Sequence, residues 1–110
     1  MTDAAKTPPS TAEVVVIGGG VIGCSIAYHL TKIGITDVVL LERRKLTSGT
    51  TWHAAGLIGQ LRGSANMTRL AKYTAELYRE LEGETGQAAG LKQNGSVSVA
   101  LHEGRMEEFR

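Results

Sequence analysis

The sequence predicts an α/β fold built on a strand–turn–helix–strand unit, and three observations predict it. Val14-Val15-Val16-Ile17 is a β-branched run without alternation. Gly18-x-Gly20-x-x-Gly23 follows at once and opens a helical stretch. Val38-Val39-Leu40-Leu41 repeats the apolar run and ends on an acid, Glu42. Unbroken apolar strands are those of parallel sheets, expected to be buried on both faces. Parallel neighbours need a crossover, and the intervening helix supplies one, expected to be right-handed.

The elements follow in order. Residues 1–12 read as a polar tail, in which Pro8-Pro9 blocks regular structure. The first strand spans about 13–17. The first helix spans about 21–33, with Ile22, Ile26, Leu30 and Ile33 forming one apolar stripe. Gly34 then suits the left-handed position that closes a helix. Thr36-Asp37 turns into the second strand, 38–41. Arg43-Arg44-Lys45 is a short basic patch. Residues 47–63 carry Gly49, Gly56, Gly59 and Gly63, and read as loop, short helix near Ser48 to Thr51, and loop. A longer helix covers about 66–83. Asn66 is its expected cap. Met67, Leu70, Leu77 and Leu81, with Tyr73 or Thr74, form its expected buried side, and Gly83 and Gly86 end it. Val97, Val99 and Leu101 alternate with small residues and predict a third strand over 95–101. A last helix begins near Gly104. Two parallel strands make an incomplete sheet, so residues 13–110 are expected to be the N-terminal part of a larger domain.

Composition excludes several classes. Net charge is +1, from 12 basic and 11 acidic residues, so no nucleic-acid partner is implied. No apolar run is long enough for a membrane span. Cys24 is the single cysteine, which forbids an internal disulfide and fits a reducing compartment. Residues 1–12 have no apolar core and no arginine, so they read neither as a secretory signal nor as a mitochondrial presequence. The expected location is therefore cytoplasmic.

The glycine turn carries the chemistry. GxGxxG between a strand and a helix is the dinucleotide fingerprint in its required context. Gly18 makes the tight turn, Gly20 admits a pyrophosphate to the backbone, and Gly23 lets helix and strand press together. The N–H groups of Val21 and Ile22 open the helix, at the positive end of its dipole. Glu42 lies near the spacing of about 20 residues expected for an acid that accepts from ribose hydroxyls. The ligand-free alternative is a glycine-rich turn that only packs. Glu42 disfavours NADP by repelling a 2′-phosphate, while Arg43 and Arg44 leave that option open. A plain NAD domain would continue with another helix and strand. The glycine-rich loop with Thr50 and Thr51 instead offers a second polar cradle, which favours the longer cofactor FAD over NAD.

Thr50-Thr51-Trp52-His53-Ala54-Ala55-Gly56 resembles the flavin-attachment region of the dimethylglycine and sarcosine dehydrogenases, within the glycine/D-amino-acid oxidase superfamily. Leu77 to Gln87 and Gln93 to Val97 are similar to the family's next segment. The resemblance covers nearly everything from Glu13 onward. It implies a Rossmann-like FAD-binding domain with the βαβ fingerprint, the N-terminal fragment of a flavoprotein of two or more domains. It implies an FAD enzyme that oxidises the N-methyl group of a small N-methylated amino acid by hydride transfer to flavin. The resulting iminium is hydrolysed to formaldehyde, or its one-carbon unit passes to tetrahydrofolate in a downstream domain. The resemblance further implies a covalent bond from His53 to the flavin. The ordinary reading of His53 is a polar contact or cap.

The remaining candidates have plain readings. His29 is a surface residue, His102 a turn residue and Cys24 a packed small residue. Arg62 and Arg69 are either surface groups or partners for a substrate carboxylate. Two further functional readings stand beside the first: a non-catalytic FAD-fold regulatory or folate-binding relative, and an NAD-dependent dehydrogenase. The catalytic base and the exact substrate are not assigned, because a later domain holds the substrate in this superfamily.

Overall fold

The computed structural model describes residues 7–110. Part of the expected tail lies outside the described residues, and positions 7–12 form neither helix nor strand. The chain divides into two compact units, one ending at Leu57 and one beginning at Ile58.

The first unit contains β1 (Val14–Ile17), α1 (Val21–Lys32), β2 (Val38–Leu41) and a single 3-10 turn, Thr50–His53. β1 and β2 pair in parallel, from Val14 opposite Val38 to Ile17 opposite Leu41. The ladder continues at both ends. Val14 N–H donates to Asp37 O at 3.1 Å, and Gly18 N–H donates to Leu41 O at 2.8 Å. The glycine turn and Glu42 therefore leave the sheet at the same end.

α1 approaches β1 through its smallest residue. Gly23 is buried, and a Cβ there would lie 1.8 Å from Gly18 O and 3.4 Å from Val16 Cγ1. Val16 is the buried side chain of β1. This corrects the expected packing side of α1, because Ile22, Ile26 and Ile33 are exposed. A backbone contact this close excludes branched side chains, so glycine faces the sheet and the isoleucines turn away. The expectation that both strand faces are buried also fails among the described residues. Successive strand side chains alternate faces. α1 covers the Val16 face, while Val15 and Ile17 on the other face are 50% and 86% exposed.

α1 ends as the sequence predicts. Gly34 has φ +94°, its N–H donates to Thr31 O, and Ile35 N–H donates to Leu30 O. This pair of bonds is the Schellman closure, which satisfies two orphan carbonyls of the last turn.

The second unit contains α2 (Ala65–Thr85) and α3 (Glu103–Glu108). Ser64, not Asn66, caps α2, its hydroxyl accepting Met67 N–H at 3.3 Å. Asn66 lies inside the first turn, where its side-chain carbonyl accepts from Arg69. Arg62 and Thr68 exchange two hydrogen bonds, of 3.1 and 3.2 Å, which fix the entry to the helix. Gly83 continues α2, and Gly86, with φ +72°, closes it by donating to Glu82 O. Ala75 is buried on α2 and Leu77 and Leu81 are half-buried, but Met67, Leu70 and Tyr73 are exposed.

The strand expected over 95–101 is absent. Val97, Val99 and Leu101 are exposed, and the described sheet contains β1 and β2 alone. Alternation assigns side chains to faces, but a strand also needs a neighbouring ladder, which a local pattern does not supply. α3 begins at Glu103, and His102 caps it by accepting Arg105 N–H at Nδ1, 3.2 Å. Among the described residues, no helix is long and apolar enough to cross a membrane.

Candidate functional site

The site is the sheet end of the first unit, where the glycine turn, Glu42 and the 46–53 segment converge. Gly18 turns out of β1 with φ +106°, a left-handed conformation that side-chain-bearing residues rarely adopt. Cys24 N–H then donates to Gly20 O at 2.9 Å as α1 begins. Within a helix, the first N–H groups have no carbonyl to donate to. Those of Val21, Ile22 and Gly23 belong to this set and carry the positive end of the α1 dipole.

Glu42 returns to the same turn. Its Oε2 accepts Gly19 N–H at 2.8 Å, and its Oε1 accepts Arg44 N–H at 2.8 Å. The Gly19 bond, then the Arg44 bond, and more weakly the charge of Arg43 hold its carboxyl below the ordinary carboxylate range. Glu42 is thus a carboxylate at neutral pH, clamped to the turn. Arg43 itself is exposed and acts on the site through its charge.

Leu46 and Thr47, which the sequence reading passed over, complete the clamp together with Cys24. Thr47 N–H donates to Gly19 O at 2.8 Å, and Cys24 Sγ reaches the same oxygen at 3.5 Å. Leu46 lies over Gly19, where an added Cβ would fall 2.5 Å from Leu46 Cδ2 and 2.9 Å from Glu42 Cβ. Thr47 adopts φ +62°, unusual for a β-branched residue. No local sequence signal announces that conformation, because it is imposed by the return of the segment to the turn.

Thr50 and Thr51 separate in role. Thr50 is exposed at the start of the 3-10 turn. Thr51 is half-buried, and its hydroxyl accepts Val21 N–H at 2.9 Å. A Cβ at Gly20 would meet that hydroxyl at 3.0 Å. Trp52 and His53 follow, both exposed, with ring centroids 4.1 Å apart and a 32° tilt. The structure therefore brings Gly18, Gly20, Val21, Gly23, Glu42 and Thr51 together, with His53 two residues beyond Thr51.

This donor set fits the phosphates of a dinucleotide. Helix N–H groups converge on a turn kept narrow by Gly18 and Gly23, and a clamped carboxylate stands beside it. Among the described residues, no cluster of three His, Cys, Asp or Glu side chains suits a metal ion.

The family model described as FAD dependent oxidoreductase matches residues 13–110. The mitochondrial sarcosine dehydrogenase of Homo sapiens is 52% identical over 103 residues, covering 93% of this chain and 11% of that protein. The mitochondrial dimethylglycine dehydrogenase of Rattus norvegicus is 46% identical over 111 residues, covering 96% of this chain and 13% of that protein. The mitochondrial pyruvate dehydrogenase phosphatase regulatory subunit of Mus musculus is 43% identical over 98 residues, covering 89% of this chain and 11% of that protein. The chain thus spans 11% to 13% of the length of these relatives.

These relatives overturn the expected cytoplasmic location, because their names place them in mitochondria. The cytoplasmic expectation rests on residues 1–12 lacking a presequence pattern and on a lone cysteine. A lone cysteine fits either reducing compartment, and the pattern of residues 1–12 is outweighed by relatives that match 89% to 96% of the chain. By the match over residues 13–110, and by the sarcosine and dimethylglycine dehydrogenases so similar to it, the chain belongs to the family of FAD-dependent oxidoreductases.

Proposed function

We propose that this chain is the cofactor-binding N-terminal part of a larger FAD-dependent enzyme that oxidises the N-methyl group of a small N-methylated amino acid. The observation that carries the reading is the Val21 N–H to Thr51 Oγ1 bond of 2.9 Å, which joins the glycine turn to the Trp52-His53 segment within one unit. A site that unites a phosphate-type turn with a separate aromatic and histidine loop suits a cofactor with two distant ends. Sarcosine and dimethylglycine, named as substrates of two relatives, are both N-methylated amino acids.

Each residue has a role in this reading. Gly18, Gly20 and Gly23 keep the turn open and close to β1. The N–H groups of Val21 and Ile22, with the Thr51 hydroxyl, hold the pyrophosphate. Glu42 accepts from the adenosine ribose, with Arg43 at its flank and Thr50 at the loop entry. His53 would hold the flavin end, an imidazole nitrogen replacing one hydrogen of the 8α-methyl carbon while the flavin itself takes up the electron pair released. When bound, FAD supplies the acceptor for the hydride that leaves the substrate's N-methyl carbon. The protein's own part is orientation and electrostatics. A tetrahydrofolate-binding region beyond these residues would capture the one-carbon unit.

Anaerobic addition of sarcosine or dimethylglycine to the full-length protein tests the proposal. Loss of the flavin absorbance with either compound is expected. Persistence of that absorbance with both, while FAD remains bound, would sink the enzymatic reading. It would favour the second one, a regulatory protein that keeps the FAD site, which the resemblance to the mouse regulatory subunit supports. A nicotinamide spectrum in place of a flavin spectrum would reject both.

A further inference from the structure

We propose that Thr51 is a remote N-cap of α1, which organises the Trp52-His53 loop before the cofactor arrives and surrenders Val21 N–H to a cofactor phosphate when it binds. The proposal rests on the FAD-site reading above for its second half alone.

α1 has no capping group of its own. Its own N-cap residue is Gly20, which has no side chain and makes no capping bond, and no acid lies in its first turn. A helix start with neither device leaves its first N–H groups without a local acceptor. The chain supplies one from the other end of the site. Thr51 Oγ1 accepts Val21 N–H at 2.9 Å across a separation of 30 residues. The missing Cβ at Gly20 is what admits it, because that Cβ would sit 3.0 Å from the hydroxyl.

A capping oxygen and a phosphate oxygen compete for the same donors. A threonine hydroxyl differs from an aspartate in one useful way. While it accepts, it still has a proton to donate. Thr51 can therefore cap the helix in the cofactor-free protein and then donate to the phosphate that displaces it. An aspartate in its place would instead repel the phosphate. Because Thr51 and His53 share one 3-10 turn, the helix cap also fixes where the histidine segment begins.

The test is residue-resolved amide exchange on the full-length protein prepared from flavin-starved cells, before and after FAD is added. Without FAD, Val21 N–H should exchange about tenfold more slowly than the first-turn amides of Ile22 and Gly23, the scale of a helix cap. Equal or faster exchange at Val21 would overturn the proposal with no variant needed. In Thr51→Val the protection at Val21 should fall about tenfold and the protection of Trp52 and His53 should fall with it, while Thr51→Ser restores both. Unchanged Val21 protection in Thr51→Val, or no rescue by serine, would also overturn it. Saturating FAD should restore Val21 protection in Thr51→Val, because a phosphate replaces the hydroxyl, and continued rapid exchange with FAD bound would refute the hand-over. If FAD alters no amide from Gly19 to Gly23 in the unaltered protein, the FAD-site reading fails while the FAD-free arms still decide the cap.

Discussion

Glu42 accepts the backbone N–H of Gly19 at 2.8 Å, so the acid that ends β2 is tied to the turn that ends β1. Hydrogen bonds from Gly19 and Arg44 favour the carboxylate, and the folded pKa lies below the unfolded one. A group with a depressed pKa stabilises the fold above its unfolded value, and that contribution is lost as pH falls through the folded value. The Gly19 amide resonance should therefore titrate below the ordinary carboxylate range. A titration midpoint at or above that range would refute the tie. In full-length His53→Ala, where FAD binds reversibly, adding Glu42→Ala should weaken FAD binding about tenfold, as for loss of a charged hydrogen-bond acceptor, measured by quenching of flavin fluorescence.

Gly23 and Gly20 belong to one motif but should tolerate alanine differently. At Gly23 the added carbon meets a backbone oxygen at 1.8 Å, which nothing flexible can relieve. Gly23→Ala should cost about 3 kcal/mol, the upper range of overpacking. At Gly20 the neighbour is a threonine hydroxyl at 3.0 Å, which can rotate away. Gly20→Ala should cost about 1 kcal/mol and lose the Val21 cap. Denaturant melts of the two full-length variants compare them, and equal costs would contradict this packing.

His53 is exposed and stacked on Trp52, so its ring is free of protein burial. With the covalent role proposed for it, acid precipitation of the full-length protein should leave the yellow colour in the pellet. His53→Ala should release the colour to the supernatant. Release from the unaltered protein would refute covalent attachment.

Residues 1–110 alone should lack a sharp thermal transition. Among the described residues the buried apolar side chains are Val16 and Ala75, and many larger ones, including Ile17, Leu57 and Leu101, are more than four-fifths exposed, at 86%, 86% and 90%. Burial on this scale does not offset a conformational entropy cost of about 1 kcal/mol or more per residue. Scanning calorimetry of the isolated chain checks this, and a cooperative peak would contradict it.

β1, α1 and β2 are legible in the sequence to within a residue, because each is marked by a local signal: a β-branched run, a glycine start, a glycine stop. The packing side of α1 is less legible. The isoleucine stripe is the stronger periodic signal, yet contact distance favours Gly23. The expected strand over 95–101 shows the same limit, since alternation does not name a partner. In the site, Gly18 to Gly23 and Glu42 are legible from spacing. The Leu46 and Thr47 contacts and the capping role of Thr51 are not, because they join positions far apart in sequence and depend on how the loop returns. The compartment is illegible in the fold, since folding physics is the same in the cytoplasm and the mitochondrion.

The parallel register of β1 and β2 also governs which length changes the chain can absorb. Ile17 opposite Leu41 sets Gly18 and Glu42 at one level. A residue inserted between Lys32 and Val38 would lengthen a surface connection at the far end of the sheet and leave that level intact. A residue inserted between Val38 and Glu42 would shift the ladder by one step and turn Glu42 to the opposite face. Natural variation in chain length should therefore collect in the first interval and be purged from the second.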